Sequence, residues 1–74
     1  MEEATIQWRL AQTVRSRREA LKVSQETFAD SIGMHRAYYS SIERGERNIT
    51  VETLGRLADG LRVSIAALAK EAGV

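Results

Sequence analysis

Between positions 36 and 48 the chain gathers the guanidinium groups of Arg36, Arg44 and Arg47, the hydroxyls of Ser40 and Ser41, and the amide of Asn48. The spacing gives this polar chemistry a direction. Counted at roughly 100° per residue from Arg36, the side chains of Ser40, Arg44, Ala37 and Ser41 fall between roughly 40° and 140°, whereas Tyr39 and Ile42 fall near 300° and 240°. A helix with this pattern buries Tyr39 and Ile42 and presents a slim face of small side chains flanked by arginines. Paired guanidinium donors match the O6 and N7 acceptors of guanine, serine hydroxyls donate or accept at base edges, and the Ala37 methyl suits a thymine methyl. Arg36, Ala37, Ser40 and Ser41 are therefore the expected base contacts.

That helix needs a partner to hold it, and the preceding residues supply one. Ser24 is placed to cap a helix over about Gln25 to Ile32, with Phe28, Ala29 and Ile32 inward and Glu26 in the first turn, where a carboxylate suits the helix dipole. Gly33 is the natural left-handed residue between the two helices. The pair reads as a helix-turn-helix over about residues 25–44, the arrangement that lays a second helix in the DNA major groove. Expected contacts to the DNA backbone are Arg17, Ser24, Gln25, Tyr38, Arg44, Arg47 and Asn48. Gln25 lies at a helix start, where free N–H groups attract phosphate. For Tyr38, packing against the fourth helix is an equal alternative, and for the arginines the alternative is a solvated charged surface. Glu43 is an acid in a segment otherwise suited to DNA; it is expected to face inward and pair with Arg18, tying the first helix to the third. Trp8 is expected to cover the domain beside the fifth helix, and His35 to be a loop residue without a role.

The whole chain agrees with one small helical domain. It has 74 residues, 43% hydrophobic and 28% charged, with no proline or cysteine. The absence of cysteine excludes a disulfide frame, a thiolate metal site and a thiol nucleophile, and a single histidine cannot build a zinc site. No nucleophile–base pair or phosphate-binding glycine loop is visible, so neither an enzyme nor a cofactor is expected. The start, Met1-Glu2-Glu3-Ala4-Thr5, lacks the pattern of a secretory signal, and no apolar run reaches the roughly 20 residues of a membrane span. A cytoplasmic protein without a membrane partner follows as an expectation. The net charge of +1 supports DNA binding only through its distribution, with Arg15, Arg17 and Arg18 in the first helix and Arg36, Arg44 and Arg47 at or after the third.

Five helices are expected. The first runs from about Thr5 to Ala20 or Leu21, with Ile6, Leu10, Val14 and Leu21 as its apolar stripe and the stem of Arg17 over the core edge. The third spans about Arg36 to Arg44 and stops at Gly45. Thr50 caps a fourth, Val51 to Leu61, with Val51, Leu54, Leu57, Ala58 and Leu61 inward. Ser64 caps a fifth, Ile65 to Lys70. Residues 1–9 are assigned to a tail and the start of the first helix, and 10–69 to the DNA-binding domain.

Taken together, Val14-Arg15, Arg18, Val23-Ser24-Gln25-Glu26-Thr27-Phe28-Ala29, Gly33, Ile42-Glu43-Arg44-Gly45 and Leu54…Leu57-Ala58…Leu61-Arg62-Val63-Ser64 resemble the XRE/Cro/repressor-type helix-turn-helix family. The resemblance covers about Leu10 to Leu68 and implies a lambda-repressor-like, all-α bundle. Within that family, the run His35-Arg36-Ala37-Tyr38…Ser41-Ile42-Glu43-Arg44-Gly45-Glu46-Arg47-Asn48-Ile49 is similar to the controller proteins of restriction–modification systems. The similarity implies base reading at Arg36 and position 37, and backbone contacts from Gln25, Tyr38, Arg44, Arg47 and Asn48. Three positions depart from the pattern. Lys22 stands where relatives often carry a helix-ending glycine, Arg17 where the position is usually apolar, and Ala37 where a larger polar residue is expected.

The expected partner is a near-palindromic double-stranded operator bound by a homodimer, with RNA polymerase a further partner where the regulator activates. Val63, Ile65 and Ala66 are the expected dimer contacts. The competing reading is an antitoxin or phage-like repressor whose main partner is another protein.

Overall fold

Helix ends shape this domain more than helix lengths do. In the computed structural model, which describes residues 5–74, the helices are α1 (Ile6–Ala20), α2 (Gln25–Ser31), α3 (Arg36–Glu43), α4 (Val51–Leu61) and α5 (Ile65–Ala72). The acidic start, residues 1–4 of the expected 1–9 tail and including Glu2 and Glu3, lies outside the described residues. Thr5, Ser24, Thr50 and Ser64 each accept a hydrogen bond from the backbone N–H three residues on, filling one of the open donors of the first turn. His35 begins α3 without any side-chain cap.

The C-terminal ends close by chain reversal. After α2, the Gly33 N–H donates to the Asp30 carbonyl at 3.1 Å and the Met34 N–H to the Ala29 carbonyl at 2.8 Å, with Gly33 at φ 65°. The same pair of bonds recurs after α3 through Gly45 and Glu46. Two of the left-handed residues are not glycine: Lys22 at φ 62° and Arg62 at φ 60°. α5 runs to Ala72, two residues beyond the expected Lys70, before Gly73 ends it.

α1 packs against α3, α4 and α5, while α2 packs on α3 and α4 on α5. The core is one cluster, built on Val14, Phe28, Ala29, Met34, Tyr39, Ile42, Leu57, Ala58, Leu61 and Leu68. The Phe28 and Tyr39 rings meet at 5.2 Å between centroids, tilted by 51°, and join α2 to α3. Gly60 lets α4 lie close to α2: a Cβ there would sit 2.5 Å from Cγ2 of Ile32 and 3.0 Å from Cζ of Phe28.

Some expected core positions are outside. Ile6 and Leu21 flank α1 half exposed, and Val51 is 78% exposed. The buried face of α1 is shorter but wider than the expected stripe, with Ala11 and Thr13 buried on either side of Leu10 and Val14. Trp8 lies against Gly45, with its Cδ1 3.2 Å from where a Gly45 Cβ would be. Gln7 donates to the Gly45 carbonyl at 2.7 Å, so the first turn of α1 is fixed to the end of α3.

Because Lys22 holds a backbone conformation that disfavours a Cβ, Lys22→Gly is expected to stabilise the domain by about 1 kcal/mol. At this size that corresponds to a rise in melting midpoint of about 4–8 °C. A thermal melt unchanged or lowered in the variant would show that the left-handed position carries no such cost.

Candidate nucleic-acid interface

The orientation of α3 is set by a buried carboxylate. Glu43, at the last position of α3, is 3% exposed and receives a hydrogen bond at each of its four lone-pair sites. Arg18 of α1 donates from Nε to Oε2 at 2.6 Å and from Nη2 to Oε1 at 3.1 Å. Gln25 Nε2 donates to Oε1 at 2.8 Å, and the Tyr39 hydroxyl donates to Oε2. Arg18 Nη1 also reaches the Val23 carbonyl at 2.8 Å, in the link between α1 and α2. One acid therefore ties three helices and a connection together.

The electrostatics agree with a charged pair. Burial alone would raise the Glu43 carboxyl, but the hydrogen bonds from Arg18, Tyr39 and Gln25, with the Arg18 charge, hold it below its ordinary value of 4.5. The Arg18 guanidinium is raised, chiefly by its hydrogen bond to Glu43. Burial raises the Tyr39 phenol, helped by the neighbouring carboxylate, so it remains a neutral donor.

With its inward side committed, α3 exposes Arg36 and Ala37, then the half-buried Ser40 and the exposed Arg44. Arg36 makes no ion pair among the described residues. Arg44 is engaged: it donates from Nη1 to Ser40 Oγ at 2.9 Å and forms a two-point pair with Glu46 at 3.0 and 3.1 Å. Both partners of that pair are exposed, so solvent screens it and an incoming anion can compete for the arginine. Asn48 is exposed in the loop after α3.

Two expected site residues are elsewhere. Ser41 is only 5% exposed and cannot reach a base edge. The loop after α3 folds over it: the Glu46 N–H donates to its carbonyl at 3.1 Å, and Arg47 Nε donates to its hydroxyl at 3.0 Å. A helical wheel cannot register a covering loop, so the exposed stripe is narrower than expected and lies toward Arg36, Ala37, Ser40 and Arg44. Arg17 turns away from the helix-turn-helix and pairs with Glu71 of α5 at 2.6 Å. Arg15 pairs with Glu19 at 3.3 Å. With Arg18 buried, three of the four arginines of α1, Arg15, Arg17 and Arg18, are matched by acids rather than forming a basic face.

The remaining residues have divided duties. Ser24 uses its hydroxyl as the α2 cap, accepting from the Thr27 N–H at 3.0 Å. The Gln25 amide nitrogen keeps one hydrogen beyond that given to Glu43. Tyr38 is half-buried against the core, with the Arg47 guanidinium carbon 5.1 Å from its ring centroid. Arg56 of α4 escaped the sequence reading: its Nη2 donates to the carbonyls of Ile32 and Gly33 at 2.6 and 2.8 Å, closing the end of α2. A contact across 23 or 24 positions leaves no local signal. Among the described residues no cluster of acids and histidine could hold a metal, and no helix is long and apolar enough to cross a membrane.

A short helix, a glycine turn and a second helix carrying an exposed, small and basic stripe define a helix-turn-helix DNA-binding domain. Residues 14–68 match the family model described as Helix-turn-helix, and the chain belongs to that family, in its XRE-type branch. It is 45% identical over 65 residues to the control protein C.SmaI of Serratia marcescens, covering 88% of this chain and 77% of that protein. Its fold superposes on the restriction-modification controller protein C.AhdI from Aeromonas hydrophila with a TM-score of 0.78 at 34% identity, over 82% of this chain and 92% of the other. The clp gene regulator ClgR of Corynebacterium glutamicum is also similar, with a TM-score of 0.89 at 27% identity over 96% and 92% of the two chains.

The lowered Glu43 value makes stability depend on acid. A carboxyl that is more acidic folded than unfolded contributes fully above about pH 4.5 and progressively less as pH falls through the folded value. Glu43→Gln should cost about 3–5 kcal/mol at neutral pH, since it leaves Arg18 buried without its counter-ion. The variant should also show a shallower loss of stability toward pH 3 in urea melts. Parallel acid limbs for the two proteins would remove Glu43 as a source of that dependence.

Proposed function

We propose that this protein is a dimeric, sequence-specific DNA-binding regulator that controls expression of a restriction–modification system at a near-palindromic operator. The observation that carries the reading is the exposed Arg36–Ala37–Ser40–Arg44 stripe on a helix whose opposite side is locked by the Glu43 network. The control-protein relatives support the choice of regulated system. Arg36 reads guanine, Ala37 and Ser40 allow close approach to the groove floor, and Gln25, Tyr38, Arg44, Arg47 and Asn48 hold the backbone. Ser24 contributes through the cap that orients the start of α2. Occupancy of such an operator excludes RNA polymerase from an overlapping promoter, or contacts it where the arrangement activates.

A duplex enriched by the protein from a randomised pool provides the test. Arg36→Ala should lose about 1–3 kcal/mol of discrimination at one base position in each half-site. Arg47→Ala should weaken all sequences alike and lower the dependence of log affinity on log salt by about 1 per half-site. Binding that enriches no sequence and varies little with salt would instead favour a regulator acting through a protein partner.

A pair of copies sets its two reading helices about 34–36 Å apart on the duplex. The surface that joins them is assigned to α4 and α5, where Val51, Ile65 and Ala66 are exposed and Ile65 Cδ1 lies 3.9 Å from where a Gly55 Cβ would be. Val63 is partly turned into the core and supports this surface from below. Ile65→Asp should shift sedimentation to the monomer and weaken operator binding. A dimer of unchanged affinity in that variant would place the interface elsewhere.

A further inference from the structure

We infer that Ser41 and Tyr38 form a clamp that fixes the Arg47 guanidinium as a preset phosphate contact, making Ser41 a positioning residue rather than a base reader. The inference rests on the reading of Arg47 as a backbone contact. Arg47 lies in the loop that follows α3 and is itself exposed. Unrestrained, its long side chain would sample many rotamers, and ordering it on DNA would weaken binding. Two contacts from successive turns of α3 remove that freedom in advance. Ser41 Oγ accepts Arg47 Nε at 3.0 Å, and the Tyr38 ring lies 5.1 Å from the guanidinium carbon.

The clamp has a fixed polarity. Ser41 sends its own hydrogen to the Tyr38 carbonyl at 2.6 Å, so a lone pair is left facing Arg47. Its near-complete burial keeps water from competing for that lone pair. The start of the loop is held at the same place, because the Glu46 N–H donates to the Ser41 carbonyl. A guanidinium that spends Nε inward keeps its two Nη groups free among the described residues. Those are the donors that grip two oxygens of one phosphate.

The experiment is a double-mutant cycle on the enriched duplex, with affinity measured across a salt series. Ser41→Ala should weaken binding about threefold to tenfold, the size of one hydrogen bond, and leave the salt slope unchanged because the charge remains. Arg47→Ala should lower the slope, and adding Ser41→Ala to it should change nothing more. Arg47→Lys keeps the charge but loses Nε and the guanidinium that lies over the Tyr38 ring, so it should retain the slope and bind as weakly as Ser41→Ala. Additive losses, or an unaltered affinity in Ser41→Ala, would overturn the clamp while leaving Arg47 a phosphate contact. An Arg47→Ala variant with an unchanged slope would instead remove the phosphate role, and the clamp with it. If melting shows that Ser41→Ala perturbs the fold, Arg47→Lys decides alone, and wild-type affinity there overturns the proposal.

Discussion

The Glu43 carboxylate is the constraint on which the geometry of the domain depends. A buried acid is tolerated only when its charge is balanced and its lone pairs are filled, and here Arg18, Gln25 and Tyr39 do both. Apolar packing between short helices permits sliding and rotation, because many arrangements bury similar area. Four hydrogen bonds converging on two oxygens permit far fewer. The angle between α2 and α3 is therefore specified by a polar network inside an apolar core, and the reading face inherits its direction from that angle.

The chain connections reinforce this rigidity. Gly33 and Gly45 reverse the chain directly after α2 and α3, so neither helix can lengthen at the expense of the turn. Arg56 holds the end of α2 from α4, and Gln7 holds the end of α3 from α1. The turn of the helix-turn-helix and its C-terminal end are thus each secured by a side chain from a helix outside the motif. A recognition unit of fifteen helical residues (seven in α2 and eight in α3) would not hold its shape alone.

Much of this was legible in the sequence because it is local. Caps at Thr5, Ser24, Thr50 and Ser64, the Gly33 and Gly45 stops, and the inward side of α3 all follow from neighbours within one or two turns. The Arg18–Glu43 pair could be anticipated because an acid inside a helix otherwise suited to DNA demands an explanation. What escaped was tertiary. The burial of Ser41 depends on a loop folding back, the capture of Arg17 by Glu71 spans 54 positions, and the contact of Trp8 with Gly45 joins the start of α1 to the end of α3. Helical periodicity assigns a side to each residue, but a side becomes a surface only when nothing else covers it.

The division of arginines shows how a protein of net charge +1 can still favour specific DNA. Arg15, Arg17 and Arg18 are answered by Glu19, Glu71 and Glu43, and Arg56 by backbone carbonyls, so these four cations are engaged within the fold. Cations engaged within the fold contribute less to attachment on arbitrary DNA, since that attachment scales with the phosphates neutralised. One body of 34 × 23 × 23 Å also presents a single reading helix. Affinity for a chosen site then has to come from geometry, through contacts fixed in advance. Rigid setting of α3 by Glu43 serves that end, because a reading helix that wobbled would lose register on the duplex.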